Sequence, residues 1–83
     1  MFTLTKALLL NAYRDTLKIG CRPTEILLCT KESGSLVQWD IKNSKHLMSQ
    51  YTAIENEFGQ PGDYLVFGNN HRLLGDIVFY VPD

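Results

Sequence analysis

Eighty-three residues, 45% of them apolar and 20% charged, make one domain near the lower size limit for folding without disulfides or metals. A net charge of -1 and a pI near 6.0 exclude a global positive field toward nucleic acid or an anionic membrane, and equally a charge mimic of DNA. No run approaches the roughly 18 apolar residues of a membrane span, and Asn11 cuts short the apolar stretch of a would-be signal peptide, so the expected compartment is the cytoplasm.

Residues 4–18 carry helical spacing. Asn11, Arg14, Asp15 and Lys18 gather on one side, while Leu8, Leu9, Leu10, Ala12, Tyr13 and Leu17 cover an opposite arc wider than one packing surface needs. Thr3 or Thr5 is placed to cap the start, Gly20 ends the helix and Pro23 stops it resuming. Residues 25–31 and 36–42 then predict a β-hairpin about Glu32-Ser33-Gly34-Ser35. Val37, Trp39 and Ile41 alternate with Gln38, Asp40 and Lys42, so the second strand has one dry face. Ile26, Leu27, Leu28 and Cys29 are apolar on both faces, which suits a central strand or one covered on both sides.

Residues 44–58 place Leu47, Tyr51, Ile54 and Phe58 at helical spacing behind Ser44 as N-cap; Tyr51–Ile54 also fits a strand, with Glu55-Asn56-Glu57 turning the chain. Gly59 and Pro61 repeat the punctuation of Gly20 and Pro23, so residues 4–42 and 44–81 read as a possible pseudo-repeat. A second hairpin is expected from residues 63–67 and 73–81 about Gly68-Asn69-Asn70-His71, with Gly75 marking a bulge and Ile77–Val81 again apolar on both faces. The economical fold is α+β: a four-stranded, mainly antiparallel sheet with two helices on one face, in the order αββαββ.

Chemistry finds few footholds in this chain. Cys21, Cys29, His46 and His71 lack any zinc-clip spacing, and two cysteines in so small a chain are expected to stay reduced. Cys29 sits in an apolar run that quenches a thiol, whereas Cys21 beside Arg22 is the better-placed nucleophile for a small thiol enzyme. The serines occupy turn, cap and helix positions, and Glu55 and Glu57 cannot share a helical face. The glycines follow helices and lead into strands, the reverse of a phosphate-binding loop. The expectation is a non-enzymatic chain with neither cofactor nor metal.

Surface is what remains. Two helices cover one face of a sheet, so apolar residues on its other face are expected to meet a partner protein, or a second copy of the chain. Trp39, Tyr64, Phe67, Phe79 and Tyr80 are the aromatic candidates, with Asn69, Asn70, His71 and Arg72 at the rim and the sheet edge as a second route by strand addition. A nucleic-acid-binding regulator using Lys42, Lys45, His46, Arg72 and Trp39 is the alternative, disfavoured by the net charge.

The stretch Gly59-Gln60-Pro61-Gly62-Asp63-Tyr64-Leu65-Val66-Phe67-Gly68, with Asp76-Ile77-Val78-Phe79 after it, resembles a C-terminal module of small bacteriophage and prophage proteins. That module reads as a PGD-(W/Y)-(I/L)-V-x-G turn and strand followed by D-(I/V)-F; here the gap is shorter, and Asn70-His71 replaces the usual glycine-glutamate. The resemblance covers a minor part of the chain and carries no activity. It implies phage or prophage origin and favours a strand at residues 51–54. The expected role is then stoichiometric inhibition or modulation of a host enzyme or host-defence complex.

Overall fold

The structure, a computed structural model, describes residues 3–29, 36–70, 72–74 and 78–81. Helix α1 spans Lys6–Lys18; of the two threonines expected to cap it, Thr5 does so, its hydroxyl accepting from the Leu8 N–H at 3.1 Å. The helix ends in a Schellman motif: the Gly20 N–H donates to Leu17 O, the Cys21 N–H to Thr16 O, and Gly20 takes a φ of 84°. Strands β1 (Glu25–Cys29) and β2 (Leu36–Asp40) follow in antiparallel register; β2 stops two residues short of the expected 36–42, and residues 30 and 31 of the expected first strand lie outside the described residues. The turn expected at Glu32–Ser35 lies outside the described residues.

The expected helix over 44–58 is two helices, α2 (Ser44–Ser49) and α3 (Tyr51–Glu57), broken at Gln50. The N-cap is Asn43 rather than Ser44, because the Asn43 carboxamide accepts the His46 N–H at 2.8 Å. Residues 51–54 are helical, which corrects the strand favoured by the phage-like module. Leu47, Ile54 and Phe58 are buried as their spacing requires, so the break does not disturb the apolar face.

Gln60-Pro61-Gly62-Asp63 forms a type II turn, the Asp63 N–H donating to Gln60 O at 3.0 Å with Gly62 at a φ of 87°. It launches β3 (Tyr64–Asn69), which pairs with β1 on one side and with β4 (Arg72–Leu73) and β5 (Phe79–Tyr80) on the other. The result is a four-stranded antiparallel sheet of order β2-β1-β3-β4, with β5 continuing the outer position. Three steps along β3, from Gly68 to Leu65, are matched by six on the outer side, from Leu73 to Phe79. The outer position is thus shared by two short strands, and the N–H groups of Leu74 and Val78 donate to Phe67 O and Leu65 O. The bulge expected at Gly75 falls outside the described residues.

Alternation assigns the two faces. Ile26, Leu28, Val37, Trp39, Leu65, Phe67 and Phe79 share a core with Leu9 and Tyr13 of α1, Leu47 of α2 and Ile54 of α3, so all three helices lie on that face. The opposite face carries Glu25, Leu27, Cys29, Gln38, Tyr64, Val66, Gly68 and Tyr80. β1 is central and buried along its whole length, as its two-faced apolar pattern requires.

Candidate interaction surfaces

The structure divides the nine residues expected at a partner surface into separate groups. Phe67 and Phe79 are corrected to core: Phe67 meets Tyr13 edge-on, centroids 6.0 Å apart, and Phe79 lies 6.4 Å from Phe58. The reason is register, since Phe67 pairs with Ile26 and Phe79 with Leu65, both on the helix-covered face. Trp39 is half-buried against the same core.

Tyr64 and Tyr80 lie on the opposite face, paired across β3 and β5 and stacked at 6.2 Å with 19° between ring planes. Tyr80 is 50% exposed. A hydrogen bond with Cys29, then electrostatic repulsion from Cys29, burial, and repulsion from the neighbouring Tyr80 hold the Tyr64 hydroxyl above the ordinary tyrosine value. The aromatic pair is therefore half-buried at its inner ring and open at its outer one.

Asn69, Asn70 and Arg72 occupy the other end of β3, about 16 Å from Tyr64 at the rise of a strand. They do not form a rim around the aromatic pair. The Asn69 carboxamide donates to Arg22 O at 3.0 Å, the Asn70 N–H to Thr24 Oγ1 at 3.3 Å, and Asn70 takes the left-handed φ of 50° that the hairpin needs. His71 is outside the described residues.

The expected surplus of apolar surface on the sheet is also corrected. Leu27, Cys29 and Val66 are buried although they face away from the helices. Both central strands are flanked on two sides, and Gly68 has no side chain, so Glu25 Cγ and Leu27 Cδ1 lean to within 3.2 Å of where its Cβ would stand.

Among the described residues, exposed apolar side chains lie chiefly on α1 and its cap. Ile19 is 71% exposed, Leu8 42% and Leu17 41%. The over-wide dry arc of the sequence pointed to Leu8 and Leu17, whereas Ile19 was missed because it sits at the helix cap beside Gly20. Ala12, Asp15, Thr16 and Ile19 border an open groove of about 370 Å³ whose other wall is Phe67, Leu74 and Val78.

The basic set is dispersed. Lys42 and Lys45 are exposed near the start of α2, and His46 Nδ1 accepts the Lys42 N–H at 3.1 Å. Trp39 is turned into the core, and Arg72 lies across the sheet, three strand spacings or about 14 Å away. Cys21 is half-buried and Cys29 buried, both as free thiols. Among the described residues no three of His, Cys, Asp and Glu come together as metal ligands, and no helix is long and apolar enough to cross a membrane. Compared with known proteins, the chain matches no family model, no curated protein and no solved structure.

Proposed function

We propose that this chain is a non-enzymatic protein-binding module that acts stoichiometrically in the cytoplasm, covering a surface of its partner. The half-exposed Tyr80 ring, stacked on a half-buried Tyr64, is the observation that carries this reading. Tyrosine brings large contact area with few rotatable bonds, and a ring already held by a stacked neighbour loses little freedom when a partner closes over it. The phage-like segment Gly59–Gly68 supports a phage or prophage origin, and with it a bacterial enzyme or defence complex as the partner. The polar hairpin end contributes by fixing the sheet on which the aromatic pair is displayed.

Affinity capture from a bacterial lysate, compared between the wild-type chain and Tyr80→Ala, tests the reading. The wild type should retain a specific protein in fixed stoichiometry, and the variant should lose it, with affinity lower by roughly 30-fold or more as for a central aromatic contact. Equal capture by both would remove Tyr80 from the surface and the reading with it. Circular dichroism should show the variant folded, because the Tyr80 ring is half in solvent.

A further inference from the structure

A histidine closes the start of α2. Asn43 is the N-cap, and His46 stands three residues on, where a capping box places glutamate or glutamine. Two bonds cross the turn in opposite senses: the His46 N–H donates to Asn43 Oδ1 at 2.8 Å, and the Lys42 N–H donates to His46 Nδ1 at 3.1 Å. The ring thus reaches one residue further back than a capping-box side chain does. A carboxylate or carboxamide accepts such a bond at any pH near neutral. An imidazole accepts it only while neutral, with its proton on Nε2; a second proton on Nδ1 turns the acceptor into a donor facing another donor. A positive ring would also stand at the helix end where backbone N–H groups gather, the wrong end for a cation.

From this we infer that His46 makes the cap of α2 a proton-sensitive latch, closed while the ring is neutral and open once it is protonated. The bond to Lys42 is complete above the range in which histidines take up a proton and is lost as pH falls through it, roughly from 7 to 5. Charged neighbours do not replace it. Among the described residues no carboxylate forms an ion pair with the ring: Asp40 of β2 is engaged by Gln38, Glu55 of α3 by the Tyr51 hydroxyl, and Asp15 of α1 by Lys18. Glu57 of α3 and Arg14 of α1 are exposed, and Lys6 of α1 lies over the Tyr51 ring. The cations adjoining His46 along the chain, Lys42 and Lys45, are exposed and oppose a third positive charge between them. Opening is local. Ile41 and Leu47 stay buried on either side, and Thr24 O still holds the Ile41 N–H. Acid therefore frees the turn between them as a cationic segment bearing Lys42, Lys45 and His46. The latch lies on the helix-covered side of the sheet, away from Tyr64 and Tyr80, and does not rest on the partner-binding reading.

Proton–nitrogen NMR of the whole chain between about pH 8 and pH 5 tests the latch, with His46→Gln as the variant that keeps an acceptor throughout. At the upper pH the His46 ring should carry its proton on Nε2 and leave Nδ1 bare. Exchange of the Lys42 amide, corrected for its intrinsic pH dependence, should be protected roughly fivefold less at the lower pH than at the upper, the worth of one net hydrogen bond. The Ile41 amide, held by Thr24 O, should show no such step. In His46→Gln the Lys42 amide should stay protected across the range, and in His46→Ala it should be unprotected across the range. His71 is present in all three chains, so a change common to them does not come from His46. A ring protonated on Nδ1 at the upper pH, or a wild-type Lys42 amide indifferent to pH, would overturn the inference. So would a His46→Gln variant as pH-dependent as the wild type, or an equal loss of protection at Ile41, which would mean unfolding rather than an opened cap.

Discussion

The two halves of the chain run through the same order of elements with different regularity. The first is regular: a 13-residue helix capped at both ends and two five-residue strands in unbroken register. The second divides its helix at Gln50 and fills its outer sheet position with two short strands, β4 and β5. The helix break and the β3–β4 turn of the second half both reach back to the first. The Gln50 carboxamide donates to Asp40 O, the Tyr51 hydroxyl reaches Leu4 O at 2.6 Å, and the β3–β4 turn holds Arg22 and Thr24. The first half carries its caps and its strand register within itself, whereas the second is tied by side chains to the first.

Removing a docking side chain should break this arrangement most severely. The Phe67 ring passes from β3 to Tyr13 of α1, so Phe67→Ala empties the joint between the halves. The expected cost is about 4 kcal/mol, a large share of what an 83-residue domain possesses. Urea denaturation should show a greatly lowered midpoint, or no folded baseline at all. If the loss stayed below about 1 kcal/mol, the halves would be stabilised separately. Gly68→Ala comes next. Its Cβ would stand 2.9 Å from the Arg72 carbonyl oxygen, a backbone atom that moves only with β4, and the overpacking should cost about 2 kcal/mol.

The contrast also explains what the sequence made legible. Helix α1, the central place of β1 and the turn at Pro61-Gly62 are encoded by residues close together: the Thr5 cap, Gly20 with Pro23, and a glycine at a positive φ. The break at Gln50 was not legible, because a glutamine is an ordinary helix former and its role depends on a carbonyl ten residues away. The interaction surface was half legible. An aromatic residue on a two-faced apolar strand shows its type but not its face: register turned Phe67 and Phe79 inward and left Tyr80 outside. Ile19 escaped notice for a related reason, since periodicity weakens at a helix cap, where the chain leaves the wheel.

Two smaller changes sharpen the comparison from either side. In the first half, Gly20→Ala puts a side chain at a φ of 84° with nothing within 4 Å of the new Cβ, so the cost is purely conformational and about 1 kcal/mol. In the second half, Gln50→Ala removes one side-chain tie to Asp40 O and should cost about 1 kcal/mol or somewhat less, the net value of a half-exposed hydrogen bond. Amide exchange distinguishes them. Gly20→Ala should loosen the last turn of α1 alone, while Gln50→Ala should lower protection in α2 and α3 together and spare β1.

The least effect on stability is expected from pH, and it reads the face proposed to bind a partner. A tyrosine whose folded pKa is raised favours folding in its neutral form; that contribution is complete below the ordinary tyrosine pKa and is lost as pH climbs through the raised value. Tyr64 should therefore leave stability level through neutral pH and lower it only in the alkaline range. The leading causes of the shift are the hydrogen bond and charge of Cys29, ahead of burial and Tyr80. Ultraviolet titration of phenolate should accordingly show one late-ionising component that disappears in Tyr64→Phe and moves to lower pH in Cys29→Ala. Tyr51 titrates late for a different reason, its bond to Glu55, and should remain late in both variants. If the component stayed in place in Cys29→Ala, Cys29 would not be what raises the Tyr64 pKa, and burial beside Tyr80 would be left as the cause.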